Sequence, residues 1–506
     1  MNKWLQAWRA DKLRGAVELF WLLTVVSSFF GDTVIAVRVP AIGALYPFRV
    51  LLPISALLYV IWMVRRKEPL FRGISTVEKW CYGLIAIMIL YGGVSLLRAL
   101  EPAWTFRRLF NLCMDLCFFF LVLRLCKDKR LRHATMLVCA GMLMLLCLLG
   151  IVEVFCGGIV NESYDTYKRF YLFDKMFQFP IVFSGNTNDY STTIFFLSAT
   201  LLLYFCSSDY GKKKHLLLWI ILYGVIVYFV VVASNARLCM IAYYILLCGV
   251  ILYYLIKEKR KAWLVGILVL NVLFIQFATN YMDIVPPIQK YLAELKEYQS
   301  EMRTANSSEN VINQPKAPTL SLGNPDKPSL EEEFFEFDSV TGTKELRTTG
   351  SAGVRARLLV HSFSCFKNSY GLGVGLGNTE IMARDQEVIP DAKIWSIHCF
   401  IARIVGDYGV FVLVPLMVIA ALLIKQGIVI AIISMKKRER PLAALAILYL
   451  VVLVCYPIVS TASSDAQDLL AMWLYLGMLV VINNLYLINN KVGLFPNESS
   501  NHSTDI

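Results

Sequence analysis

Long apolar runs alternate with short polar interruptions along most of the chain. The runs occupy approximately 16–37, 44–64, 80–98, 106–126, 134–155, 186–206, 216–233, 238–256, 262–280, 398–433, 441–460 and 467–489. A helix rises about 1.5 Å per residue, so roughly 20 apolar residues cross about 30 Å of hydrocarbon. The pattern predicts an all-α polytopic membrane protein with about twelve transmembrane helices. The block 216–256 is interrupted only at "SNAR", Ser234 to Arg237, and each half is just long enough to span, so this break is a tight surface turn.

One polar insertion is much larger than the rest. It divides the chain into a first set of transmembrane helices (1–280), a large loop (281–397), a second set (398–490) and a tail (491–506). Ile288, Tyr291, Leu292, Leu295, Tyr298 and Met302 recur at helical spacing, which predicts an amphipathic helix at the loop's start. About 303–350 is rich in Ser, Thr, Asn, Pro and Glu without sustained periodicity, and reads as loosely packed. A second helix is expected over about 353–368, with Arg355 on the face of Leu358, Leu359, Ser362, Phe363 and Phe366, and with Arg357, His361 and Ser364 opposite.

Composition agrees with the pattern. The 506 residues are 57% hydrophobic and 17% charged, outside the range of soluble domains. The net charge of +12 would suggest nucleic acid in a soluble protein. Here the basic clusters at 65–67, 127–132, 212–215, 257–261 and 436–440 fall in every second inter-helix loop. That is the positive-inside pattern, and it argues against a nucleic-acid partner. It places both termini in the cytoplasm and the large loop outside it. The basic N-terminus leads into an apolar run without a small-residue cleavage site and reads as an uncleaved signal anchor. Thirteen cysteines lie mostly inside apolar runs and imply no disulfide framework.

Candidate chemistry gathers at the predicted outer face. Arg237, in the "SNAR" turn, is either a snorkelling side chain or an anion-binding group. Arg355, on the apolar side of its helix, is costly there unless it meets an anion or a carboxylate. His398 stands at the mouth of the tenth run, followed by Arg403 and Asp407 at helical spacing, and could serve a hydroxyl as general base or hydrogen-bond partner. Asn186 and Asn188, beside Asp189, either cap the sixth helix or line a polar cavity. The run "GLGVGLG", with Gly373, Gly375 and Gly377, lacks the preceding strand of a dinucleotide fold. It reads as a close-packing turn, with direct phosphate binding by its N–H groups as the alternative. No Walker loop, Asp-x-Asp or zinc-type cluster occurs, so neither a metal nor a cofactor is expected.

In order and spacing, "NTNDYST", "SNAR", the arginine before "GLGVGLGN" and "HCFIARIVGDYGVFV" resemble the bacterial O-antigen ligase and Wzy-type polysaccharide polymerase superfamily. Within it the resemblance is to Gram-positive capsular, exopolysaccharide or teichuronic acid polymerases. It covers roughly 180–435 by motif and the whole chain by topology. The resemblance implies a GT-C-like membrane glycosyltransferase of the bacterial cytoplasmic membrane, inverting and metal-independent. Such an enzyme acts at the extracytoplasmic face on an undecaprenyl-diphosphate-linked glycan donor and a glycan acceptor, among membrane lipids, beside a flippase and a chain-length regulator. It implies that Arg237 and Arg355 contact the donor diphosphate and that His398 serves the acceptor hydroxyl; Arg357, Asn186, Asn188, Arg403 and Asp407 are the further candidate substrate-binding residues. The family's usual His-Asn pair is His398-Cys399 here, and its usual glutamate is Asp407. Three other readings stay open: transfer of a finished glycan to another acceptor, as in the ligases, flipping of lipid-linked oligosaccharides by a transporter, and a non-catalytic assembly protein.

Overall fold

A computed structural model describes residues 11–31, 36–39, 43–67, 74–157, 169–173, 175–208, 216–258, 262–280, 289, 335–337, 344–346, 351–389, 396–463 and 465–488. The chain is a helical bundle. Its first half comprises α1 (Lys12–Ser27), α2 (Pro47–Arg66), α3 (Thr76–Ser95), α4 (Pro102–Leu125), α5 (Lys129–Cys156), α6 (Thr187–Ser207), α7 (Leu216–Ala233), α8 (Arg237–Lys257) and α9 (Ala262–Thr279). After the large loop come α10 (Ser351–Asn368), α11 (Asn378–Asp385), the short α12 (Phe400–Arg403), α13 (Val410–Lys436), α14 (Arg440–Ser460) and α15 (Leu470–Ile482). Among the described residues, three two-stranded antiparallel hairpins accompany them: β1 (Val37–Val39) with β2 (Gly43–Leu45), β3 (Arg169–Leu172) with β4 (Lys175–Gln178), and β5 (Phe335–Phe337) with β6 (Lys344–Leu346).

Local chemistry explains the boundaries. Ser75 and Glu78 form a reciprocal capping box at the start of α3, and Asp128 accepts the backbone N–H groups of Arg130 and Leu131 to start α5. Pro47 and Pro102 open α2 and α4, where the missing N–H costs nothing. Among the described residues, seven helices are long and apolar enough to cross a membrane, and three shorter apolar helices accompany them. The protein is therefore an all-α membrane protein in its main architecture.

Two expected runs are shorter than the apolar pattern suggested. The first helix ends at Ser27, because Gly31 at φ +58° turns the chain and Val37–Val39 then pairs as a strand. The tenth run does not begin as one helix at His398: residues 396–399 are non-helical, Ile404–Tyr408 forms a π-helical turn, and Gly409 at φ 59°, ψ −147° breaks the chain before α13. The N-terminal residues before 11, the tail 491–506 and the expected helix over 288–302 lie outside the described residues.

The core is formed by α14, which packs against α8, α13 and α6, and by α15, which packs against α4 and α6. Gly249, Gly427 and Gly477 let their helices close onto Val451, Leu450 and Val122. One end of the bundle collects basic and acidic loop residues. There Arg14 pairs with Asp128 at 3.0 Å, Arg66 with Asp11 at 3.6 Å, and Lys127 with Glu78 at 2.6 Å. The starts of α6, α8 and α13, with α10, α11 and the 461–468 connection, form the other end.

Candidate functional site

The glycine run is where two distant segments lock together. Beyond α10 the chain turns through Tyr370, Gly371, Gly373, Gly375 and Gly377, all at positive φ between 53° and 103°. Val374 N donates to Gly406 O at 2.9 Å, Gly375 N to Asp407 O at 3.0 Å, and Val410 N to Gly371 O at 2.9 Å. A Cβ on Gly373 would lie 2.5 Å from the Asp407 carbonyl oxygen, so only glycine permits this backbone-on-backbone contact. The Asp407 carboxylate then accepts Gly377 N at 3.0 Å and Thr379 N at 3.2 Å, at the N-terminus of α11. The anion held by these N–H groups is the protein's own, which removes the reading of the glycine loop as a direct phosphate cradle.

Beneath this clasp lies a buried ionic network. Arg108 of α4 grips Glu380 of α11 through Nε and Nη2 at 2.8–3.1 Å, and its Nη1 reaches Asp465 at 2.8 Å and Asp468 at 2.9 Å. Arg403 of α12 pairs with the same Glu380 and Asp465. Two guanidinium groups thus face three carboxylates in a setting that tolerates charge only when it is paired. Against the cost of burial, Arg403 and Arg108 hold Asp465 below the usual carboxylate range, whereas burial and the charge of Asp465 push Asp468 above it.

A second cluster is built on the turn that follows α14. Arg355 Nη2 donates to Ala462 O at 3.2 Å. Ser463 Oγ donates to Asp189 Oδ1 at 2.5 Å, and Asp189 also accepts Asn186 Nδ2 at 2.6 Å. His398 lies beside the Ser463 backbone; burial and then the Arg355 charge push its imidazole down to about 4. Its Nδ1 is enclosed without a hydrogen-bond partner among the described residues. Burial lowers the Arg355 pKa, while Cys239 of α8 and Asp189 of α6 lie near enough to oppose that shift. Arg237, two positions before Cys239, is the exposed first residue of α8.

Arg355, His398 and Asp189 therefore meet around the Ala462–Ser463 turn, with Cys239 of α8 close to Arg355, although they come from separate segments. Other expected contacts are engaged within the fold. Arg403 and Asp407 are buried and satisfied by Glu380, Asp465, Gly377 and Thr379, so neither is open to a ligand. Asn186 is the N-cap of α6, accepting Asp189 N at 2.9 Å, while Asn188 is half-buried on its first turn. Arg357 is half-buried on α10. His361, placed by periodicity opposite the apolar face of α10, is buried with Leu358, Ser362 and Cys365, its Nε2 3.1 Å from Thr379 O, whereas Leu359 and Phe363 face outward. Polarity sorts a helix correctly only when its outside is water.

The pattern reading missed Arg108, Glu380, Asp465 and Asp468. A signal was present: Arg108 and Asp468 are charged residues inside predicted apolar spans, where charges survive by pairing. No protein-family model matches the chain, and no curated protein matches it.

Proposed function

We propose that the protein is a membrane glycosyltransferase that polymerises undecaprenyl-diphosphate-linked oligosaccharide repeat units into a cell-surface polysaccharide outside the bacterial cytoplasmic membrane. The observation that carries this reading is the meeting of Arg355 and His398 over the Ala462–Ser463 turn. With α1, α4, α7, α9 and α15 added to the seven long apolar helices, the chain crosses the bilayer about twelve times. The end carrying Arg66, Lys127 and Asp128 is then cytoplasmic by the distribution of positive charge, and the Arg355–His398 cluster is extracytoplasmic.

In this mechanism the acceptor hydroxyl oxygen attacks C1 of the donor sugar while the C1–O bond to the diphosphate breaks, its electron pair leaving on the diphosphate oxygen. Arg355 and Arg237 offset the negative charge that grows there, more in the transition state than in the ground state. His398, neutral at physiological pH, has a lone pair to take the hydroxyl proton. A diphosphate beside Arg355 cancels part of the charge that depresses the imidazole, so donor binding strengthens the base.

Substituting Arg355→Ala, Arg237→Ala and His398→Ala separately, and following lipid-linked intermediates and polymer length, tests the proposal. Accumulation of single lipid-linked repeat units supports a polymerase; accumulation of finished lipid-linked chains supports a ligase. Full-length polymer from all three variants refutes the assignment of these residues.

A further inference from the structure

The outward face of α10 is apolar. Leu359, Val360 and Phe363 are 39%, 54% and 51% exposed, and at 100° per residue they share one side of the helix. Just beyond it Tyr370 is 94% and Leu372 47% exposed. The opposite side of α10 is occupied: Leu358, His361, Ser362 and Cys365 are buried, and the helix packs on the π-turn, α11 and α12. A water-facing helix of this composition would have polar residues where these stand.

What covers this face follows from what it adjoins. Tyr91 Oη of α3 donates to Leu372 O at 2.7 Å, and Val410 N of α13 donates to Gly371 O at 2.9 Å. Both α3 and α13 are among the helices able to cross a membrane. Their outward side chains, including Leu90, Val94, Val414 and Met417, form an exposed apolar belt. Leu372 and Tyr370 stand at the end of that belt, and the face of α10 continues it, with Lys367 on the same side between Phe363 and Tyr370. Exposed Lys367 and Arg98 flank the junction, at the level where cationic groups meet lipid phosphates.

We infer that α10 is an interfacial helix whose Leu359–Val360–Phe363 face, with Tyr370 and Leu372, is sunk into the lipid leaflet at this end of the bundle. The helix lies on the membrane with its outer side among acyl chains and its inner side on the protein. Taken with the function proposed above, on which this clause alone rests, the lipid diphosphate reaches Arg355 at headgroup depth, from within the leaflet.

The test uses the full wild-type chain in phosphatidylethanolamine–phosphatidylglycerol vesicles and does not depend on catalysis. A photoactivated diazirine carried on a lipid acyl chain and, separately, hydroxyl radicals in the water phase are applied, and modified residues are located by mass spectrometry. The expected result is carbene labelling of Phe363, Tyr370 and Leu372 with protection from hydroxyl radicals, matching Met417 in the belt. Oxidation of Phe363 and Tyr370 at many times the rate of Met417 overturns the inference. Protection from both reagents that appears only at high protein-to-lipid ratio also overturns it, because a second copy would then cover the face. Retained membrane labelling in a chain found catalytically inert would leave this inference standing and refute only the enzymatic reading.

Discussion

Replacing Asp407 by Asn should loosen the glycine loop without touching the Arg355–His398 cluster. The wild-type carboxylate accepts two buried N–H groups, from Gly377 at 3.0 Å and Thr379 at 3.2 Å. Hydrogen bonds to a charged acceptor contribute about 1.5–3 kcal/mol each, and an orphaned buried donor costs about 1–3 kcal/mol. Asparagine keeps one acceptor oxygen but turns an NH2 group toward the second donor. One bond is lost and one donor is stranded, a net cost of about 2–4 kcal/mol after local relaxation. At 1.4 kcal/mol per tenfold, local opening of the loop should increase roughly 30- to 1,000-fold. Hydrogen exchange of the full chain in nanodiscs, read by mass spectrometry over 371–380, should show this acceleration. Asp385→Asn, at an exposed position paired with Arg384, should not change the same peptides. Unaltered exchange in Asp407→Asn would refute the view that this carboxylate holds the loop.

Three further outcomes are expected. Arg403→Met leaves Glu380 and Asp465 facing Arg108 alone and should destabilise the protein by about 3–5 kcal/mol, read as a lower melting temperature; an unchanged melt would remove the network from the stability account. Gly373→Ala forces a Cβ against the Asp407 carbonyl at φ +83° and should cost about 2–5 kcal/mol, with exchange rising at 404–410 as well as 371–377; wild-type exchange at both segments counts against the close approach. His398 titrates near 4 in the fold against 6.5 when unperturbed, because burial and then Arg355 disfavour its cation. The unfolded chain therefore binds the extra proton first, and up to about 3 kcal/mol of stability, complete above pH 6.5, is lost as pH falls toward 4. His398→Asn should flatten that part of the pH profile, and Arg355→Gln should raise the imidazole pKa, measured by NMR of labelled histidine.

What the sequence by itself determined is the set of long apolar helices and several of the turns between them. Hydrophobic run length is a local property, and the hydrocarbon demands that each run satisfy its own backbone, so "SNAR" could be read as a hairpin and 353–368 as a helix before any contact was known. Glycines every second position likewise announced a backbone conformation that side chains avoid. The destination of each charged side chain was not local. Arg108 meets Glu380 and Asp465 hundreds of residues away, and of the two residues that spacing placed after His398, Arg403 turns in to the same carboxylates and Asp407 to the Gly377 and Thr379 N–H groups. A buried charge goes wherever the fold has put its counter-charge, and only the tertiary structure contains that position. On α10, apolar periodicity marks the side that avoids water, and only packing decides that Leu358 and Ser362 of that side meet protein while Leu359 and Phe363 lie outside it.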